Sequence, residues 1–146
     1  MKTLILKTLL VAGLATTFIA CEKDENGTGG SGSSASIVGT WEQTSERYVT
    51  RINGTLYSDT TIAVAPGTNV FNVTAGGKVI DGSDTSDYTF SNGILTVIGE
   101  SSTGGRDTSV FNATVSSTEL NLSTSGADTF GTDIMTYDYT LKFRRK

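Results

Sequence analysis

Histidine is absent from all 146 residues, and cysteine and tryptophan each occur once. Without histidine there is no His-dependent triad, no His metal site and no side chain of the usual kind for moving protons near neutral pH. A lone cysteine, Cys21, cannot close an internal disulfide. Positive charge is also scarce. Fifteen Asp and Glu face eleven Lys and Arg, for a formal net charge of −4. The one basic cluster is Arg144-Arg145-Lys146 at the C-terminus, so the chain repels phosphate backbones and nucleic acid is excluded as a partner. No apolar run has the length of a membrane span, about 20 residues. The stretch from Leu4 to Ala20 contains Lys7 and is followed at once by Cys21-Glu22-Lys23-Asp24-Glu25.

Carboxylates are the remaining catalytic resource, and a glycosidase-type pair needs only the right separation. Its members would have to come from turns, and nothing in the sequence pairs them, so the expectation is a protein that is not an enzyme. Asp81, Asp84 and Asp87 recur at every third position of a Gly/Ser-containing stretch. Calcium loops of the EF-hand type place oxygen ligands at alternate positions, with Gly sixth and Glu twelfth. The stretch fails that template and reads as a solvated acidic turn. No metal and no cofactor are expected.

The N-terminus has a short basic start, an apolar segment and a small residue, Ala20, before Cys21, which is the pattern of a secretory signal. Phe18-Ile19-Ala20-Cys21 resembles the lipobox of bacterial lipoproteins, with Phe18 in place of the usual aliphatic residue. The resemblance implies a signal peptide over residues 1–20 and an acylated Cys21, bearing diacylglycerol and palmitate, as the lipid anchor that makes the membrane a partner. Ordinary secretory cleavage that leaves a free thiol is the alternative. Lys23-Asp24-Glu25 resembles the short acidic export signal of lipoproteins in Bacteroidetes-type bacteria. It implies the outer membrane and the cell surface, with the periplasmic leaflet as the alternative. Residues 21–36 then form a Gly/Ser-rich tether, a coil spanning some 20 Å. Residues 37–146 remain, enough for one domain with its own core.

That domain is rich in Thr, Ser, Val, Ile, Tyr and Phe, a composition that favours strands. Met135, Tyr137, Tyr139, Leu141 and Phe143 alternate with polar residues, a period of two over nine positions. Asn53-Gly54 and Asn92-Gly93 are the dipeptides that two-residue type I′ hairpin turns require. Eight to ten short strands joined by tight turns make an antiparallel meander, which removes its edges by closing into a barrel. A β-sandwich would share these signals. The stretches 81–87, 101–109 and 124–133 read as polar loops.

Val38-Gly39-Thr40-Trp41 resembles the Gly-x-Trp opening of lipocalins. Val70-Phe71-Asn72-Val73, Tyr88-Thr89-Phe90 and the basic-ended last strand through Arg145 follow in the order seen in lipocalin-like domains of Bacteroidetes-type lipoproteins. The resemblance implies an all-β, up-and-down barrel of about eight strands, with Trp41 closing one end and a C-terminal arginine stacked on it. By period-two parity Arg145 shares the face of Phe143, so Arg145 is the expected partner. Phe71, Phe90, Phe111, Tyr137 and Tyr139 are the candidate lining of a cavity or of a filled core. Two functional readings follow. In one, a non-catalytic barrel holds a small apolar or amphipathic ligand. In the other, a solid barrel meets a surface protein or glycan through its loops.

Overall fold

The computed structural model describes residues 36–101 and 104–146. The expected signal peptide, Cys21, the export signal Lys23-Asp24-Glu25 and all of the tether but Ser36 lie outside the described residues. The described residues form nine strands: β1 Gly39–Ile52, β2 Thr55–Ala63, β3 Val70–Val73, β4 Lys78–Asp81, β5 Asp84–Ser91, β6 Ile94–Glu100, β7 Arg106–Val115, β8 Glu119–Phe130 and β9 Asp133–Arg145. All neighbouring pairs are antiparallel.

Eight of these strands close the barrel. From β3 to β9 each strand pairs with the next, and β1 joins β3 to β9. The ninth, β2, is an extension of β1. Over Gly39–Glu42 one edge of β1 pairs with β3, and from Ser45 onward the same edge pairs with β2. The change of partner is made at Thr44, an extra residue in the β1–β9 register, where a bulge bends the strand. On the other side, β7 pairs with β8 only as far as Ser123, while β8 continues to Phe130. The upper halves of β2, β1, β9 and β8 therefore form a four-stranded wall standing above the closed barrel.

Turn chemistry follows the residues. Asn53 and Asn92 have φ of 51°, with the following glycines also positive, as type I′ turns demand. The stretches expected as loops are mostly strand. Residues 84–87 open β5, 106–109 open β7, and 124–130 are the upper half of β8. Their Ser, Thr, Gly and Asp content reads as loop, but ladder pairing to β9 and β6 overrides local propensity.

The core sits at the base of the barrel. Trp41 and Leu120 have no exposed surface, and Val73, Ile37 and Phe143 are buried beside them. Arg145 lies over Trp41 with its guanidinium carbon 4.2 Å from the ring centroid. Its Nη2, Nη1 and Nε donate to the carbonyls of Ser36, Val38 and Ser117 at 2.7, 2.8 and 2.8 Å. Trp41 Nε1 donates to Ile37 O at 2.7 Å. Gly39, at φ 148°, is a position where any Cβ would collide with the Arg145 guanidinium. One side chain thus ties the domain's first residues and the β7–β8 turn to the last strand.

Arg145→Met retains a stem on Trp41 but deletes all three hydrogen bonds. It is expected to cost about 2–4 kcal/mol, because three peptide carbonyls lose a charged donor. Urea unfolding followed by Trp41 fluorescence measures this. A loss under about 0.5 kcal/mol would assign the closure to packing alone.

Candidate functional site

The five aromatic residues expected to line the interior fall into two groups. Phe111 belongs to the buried core, and Phe71 and Phe90 pack against it half-buried. Phe71 meets Phe143 edge-on, with ring centroids 5.1 Å apart. Tyr137 and Tyr139 are elsewhere, on the inner face of the wall and outside that core. Two concavities open on the surface near the barrel. One lies at the base beside Ile37, Tyr88 and Phe90, and the other beside Lys78, Asp87 and Arg106.

The wall has two unlike faces, fixed by register. Arg47, Val49 and Arg51 of β1 face outward, across from Asp138 of β9 and Asp59 of β2. Arg47 grips Asp59 with two bonds of 2.8 and 2.6 Å, and Arg51 reaches Asp138 at 2.8 Å. These diagonal cross-strand pairs flank Val49, which is only 7% exposed although it is on the outer face. Lys142 and Arg144 also share the outward parity.

The inner face carries Glu46, Tyr48 and Thr50 of β1, opposite Leu141, Tyr139 and Tyr137 of β9. The Tyr48 and Tyr139 rings stack with centroids 4.3 Å apart and 30° between planes. Tyr139 is buried by this stack and donates from Oη to Glu46 Oε2 at 3.0 Å. Burial, then its contacts with Tyr48 and Glu46, push the Tyr139 phenol above its ordinary value, so it stays neutral. Tyr137 lies flat across β8 at Gly126, where a Cβ would collide with its ring and hydroxyl. A glycine inside a strand marks such a close approach. Below this row, Gln43 is 3% exposed. Its Oε1 accepts from Asn69 Nδ2 at 2.9 Å, and its Nε2 has no partner among the described residues.

At the top of the wall the two hairpin tips are joined. Asn53 Nδ2 donates to Asp133 Oδ1 at 2.8 Å, and Asn53 Oδ1 accepts from the Ile134 amide at 2.9 Å. Around them Leu56, Tyr57, Phe130 and Ile134 are exposed.

Sequence reasoning missed Glu46, Tyr48, Gln43 and Gly126. The parity of β9 placed Tyr137 and Tyr139 on one face, but only knowledge of the β1–β9 register brings Tyr48 and Glu46 to them. Arg144, the neighbour of the stacking arginine, points outward and holds the buried Glu42 carboxylate at 2.7 Å. Asp81 and Asp84 face each other across the β4–β5 turn, and Asp87 receives Lys78 and Arg106. Among the described residues no three His, Cys, Asp or Glu side chains are grouped to hold a metal ion, and no helix is long and apolar enough to cross a membrane.

Arg144 and the Gly67 amide hold the Glu42 carboxyl below its ordinary value of 4.5. Arg47 does the same for Asp59, and Lys78 with Arg106 for Asp87, each ordinarily 3.8. A depressed folded value stabilises the fold above the unfolded value and is lost as pH falls through the folded one. Burial and Asp84 raise Asp81, which works in the opposite direction. The urea midpoint is therefore expected to be flat from neutral pH to about 5 and to drop below about 4.5. Glu42→Gln should make that drop shallower. A pH profile identical to that of the parent protein would show that Glu42 does not contribute to it.

Neither a family model, a curated protein nor a solved structure matches this chain.

Proposed function

We propose that this chain is a lipoprotein, acylated at Cys21 and displayed on the outer membrane, whose barrel is a non-catalytic recognition module and not a carrier. The observation that carries this reading is the filled base. Trp41, Leu120, Val73, Ile37 and Phe143 occupy the end of the barrel where a carried ligand would be enclosed. An eight-stranded barrel is narrow enough for side chains to fill it. The strand order and the Trp41–Arg145 closure support a lipocalin-like kinship, with the ligand chamber of that architecture given over to packing. Recognition then belongs to the opposite end. There the wall and its joined hairpin tips present exposed aromatic and apolar side chains on a rigid frame.

The lipobox supports the anchor, and the acidic Lys23-Asp24-Glu25 segment supports export to the surface. Acylation also removes the liability of an exposed lone thiol.

Two measurements test this reading. Cys21→Ala should abolish incorporation of labelled palmitate and move the protein from the membrane to the soluble fraction, whereas the parent protein is shaved by protease from intact cells. Native mass spectrometry of the full chain in detergent should give the acylated mass with no further adduct. A reproducible adduct of an apolar molecule of roughly a few hundred daltons would assign the barrel to ligand carriage and overturn the module reading.

A further inference from the structure

We propose that the inner face of the wall is a binding site for a neutral saccharide, with sugar rings seated on Tyr48 and Tyr137 and hydroxyls bound by Glu46. This inference rests on the recognition-module reading and names the ligand class for it.

The rings are presented for stacking. Tyr139 is buried, but Tyr48 lies on top of it and remains 41% exposed, so the second face of its ring is open. Tyr137 is held flat by the absence of a side chain at Gly126 and not stood upright from the sheet. Both rings belong to adjacent, paired strands and are two residues apart in register, Tyr48 opposite Tyr139 and Tyr137 opposite Thr50. Cross-strand neighbours at such positions are separated by roughly 5–8 Å, a span that adjoining sugar rings cover. A sugar ring has an apolar face of C–H bonds, which the negative face of a tyrosine attracts, and a rim of hydroxyls that need partners.

The rim of the site supplies those partners. Glu46 is engaged by Tyr139 at one oxygen and makes no ion pair among the described residues. Thr50, Ser58, Thr60 and Thr124 share the inner parity, and each hydroxyl both donates and accepts. Beneath this rim, Gln43 Nε2 shares the inner parity but is buried, with no partner among the described residues. An apolar ligand would leave the groups of the rim unpaired, which is costly.

Charge decides against other ligands. Every Lys and Arg of the wall lies on the outer face, in ion pairs with Asp59 and Asp138 or at the Arg144–Glu42 contact, with Lys142 between them. The inner face carries only carboxylates, so anionic glycans and phosphates are repelled. A quaternary ammonium group calls for an aromatic cage around it, whereas Tyr48 and Tyr139 are parallel and form a platform.

The test is affinity electrophoresis of the full chain in detergent, through native gels cast with soluble neutral polysaccharides: a mannan, a β-glucan, a xylan and a galactan. Retardation by at least one of them is expected. Tyr48→Ala and Tyr137→Ala should each weaken it roughly tenfold. Gly126→Ala, whose new Cβ displaces Tyr137, should weaken it as well, while the control Val110→Ala, at an exposed position on β7 away from the wall, should leave it unchanged. Trp41 fluorescence reports whether each variant keeps its fold. No retardation by any of the four, or retardation indifferent to Tyr48 and Tyr137, overturns the site. Retardation only by an anionic polysaccharide, or tyrosine quenching by choline without retardation, overturns it as well. Crosslinking of a surface protein to this face, with no glycan retained, sinks the saccharide assignment but keeps the recognition module. A bound apolar molecule in the mass spectrum would remove both.

Discussion

The stack of Arg145 on Trp41 is the contact on which the rest of the domain depends, because it locks the β1–β9 ladder at its sealed end. Trp41 belongs to the first strand and Arg145 to the last, and they face each other at 4.2 Å at one end of the ladder that closes the barrel. The guanidinium also caps three carbonyls from the entering chain and the β7–β8 turn, which would otherwise have neither a strand partner nor a compensating donor. Planarity is essential here, since the same group must lie on an indole face and donate in its own plane. A lysine can do one of these and not the other. Gly39 is the steric counterpart of this arrangement, leaving room for the guanidinium where any other residue would displace it.

A closed base permits an open top. β1 is 14 residues long, about 45 Å of strand, and only its first part belongs to the sealed core. At Thr44 the bulge hands one edge of the strand from β3 to β2, and above that point the wall runs on past the end of the β7–β8 pairing. It is stabilised from within its own two faces. Outside, two arginine–aspartate pairs cover Val49. Inside, tyrosines stack on one another and on Gly126. Exposed ion pairs of this kind contribute little singly, on the order of 1 kcal/mol or less. Their chief effect is to fix register and to keep cations off the inner face.

Much of this was legible in the sequence. The alternation from Met135 to Phe143 is β9, both Asn-Gly turns have positive φ, and parity alone separates Arg145 from Arg144, since adjacent residues of a strand face opposite ways. The barrel order is legible too, because a meander of tight turns leaves few other closures. The upper half of β8 is not. Thr124-Ser125-Gly126-Ala127-Asp128 lacks the bulky alternation of a strand, and its pairing with β9 is a tertiary fact that local composition cannot announce. For the same reason Tyr137 and Tyr139 read as lining one cavity or core together with Phe71, Phe90 and Phe111. Their parity is correct, but how far up the strand the core extends is set by where β7 stops pairing with β8.

Those same unreadable features are where the wall departs from what stability alone would select. A glycine in the middle of β8 weakens a strand, typically by 0.5–1 kcal/mol relative to alanine, and a buried amide without a partner costs more. Gly126 gives way to the flat Tyr137 ring, and Gln43 keeps its Nε2 unpaired one step below Glu46. Local compromises of this kind gather at functional surfaces, where a group is held ready for something other than the fold. Both compromises lie on the inner face of the wall, the face that also carries the open tyrosine ring and no cation. The base, by contrast, satisfies the hydrogen-bonding groups of both Trp41 and Arg145. The proposed recognition face thus lies above Thr44 on β1, and the closure of the barrel lies below it.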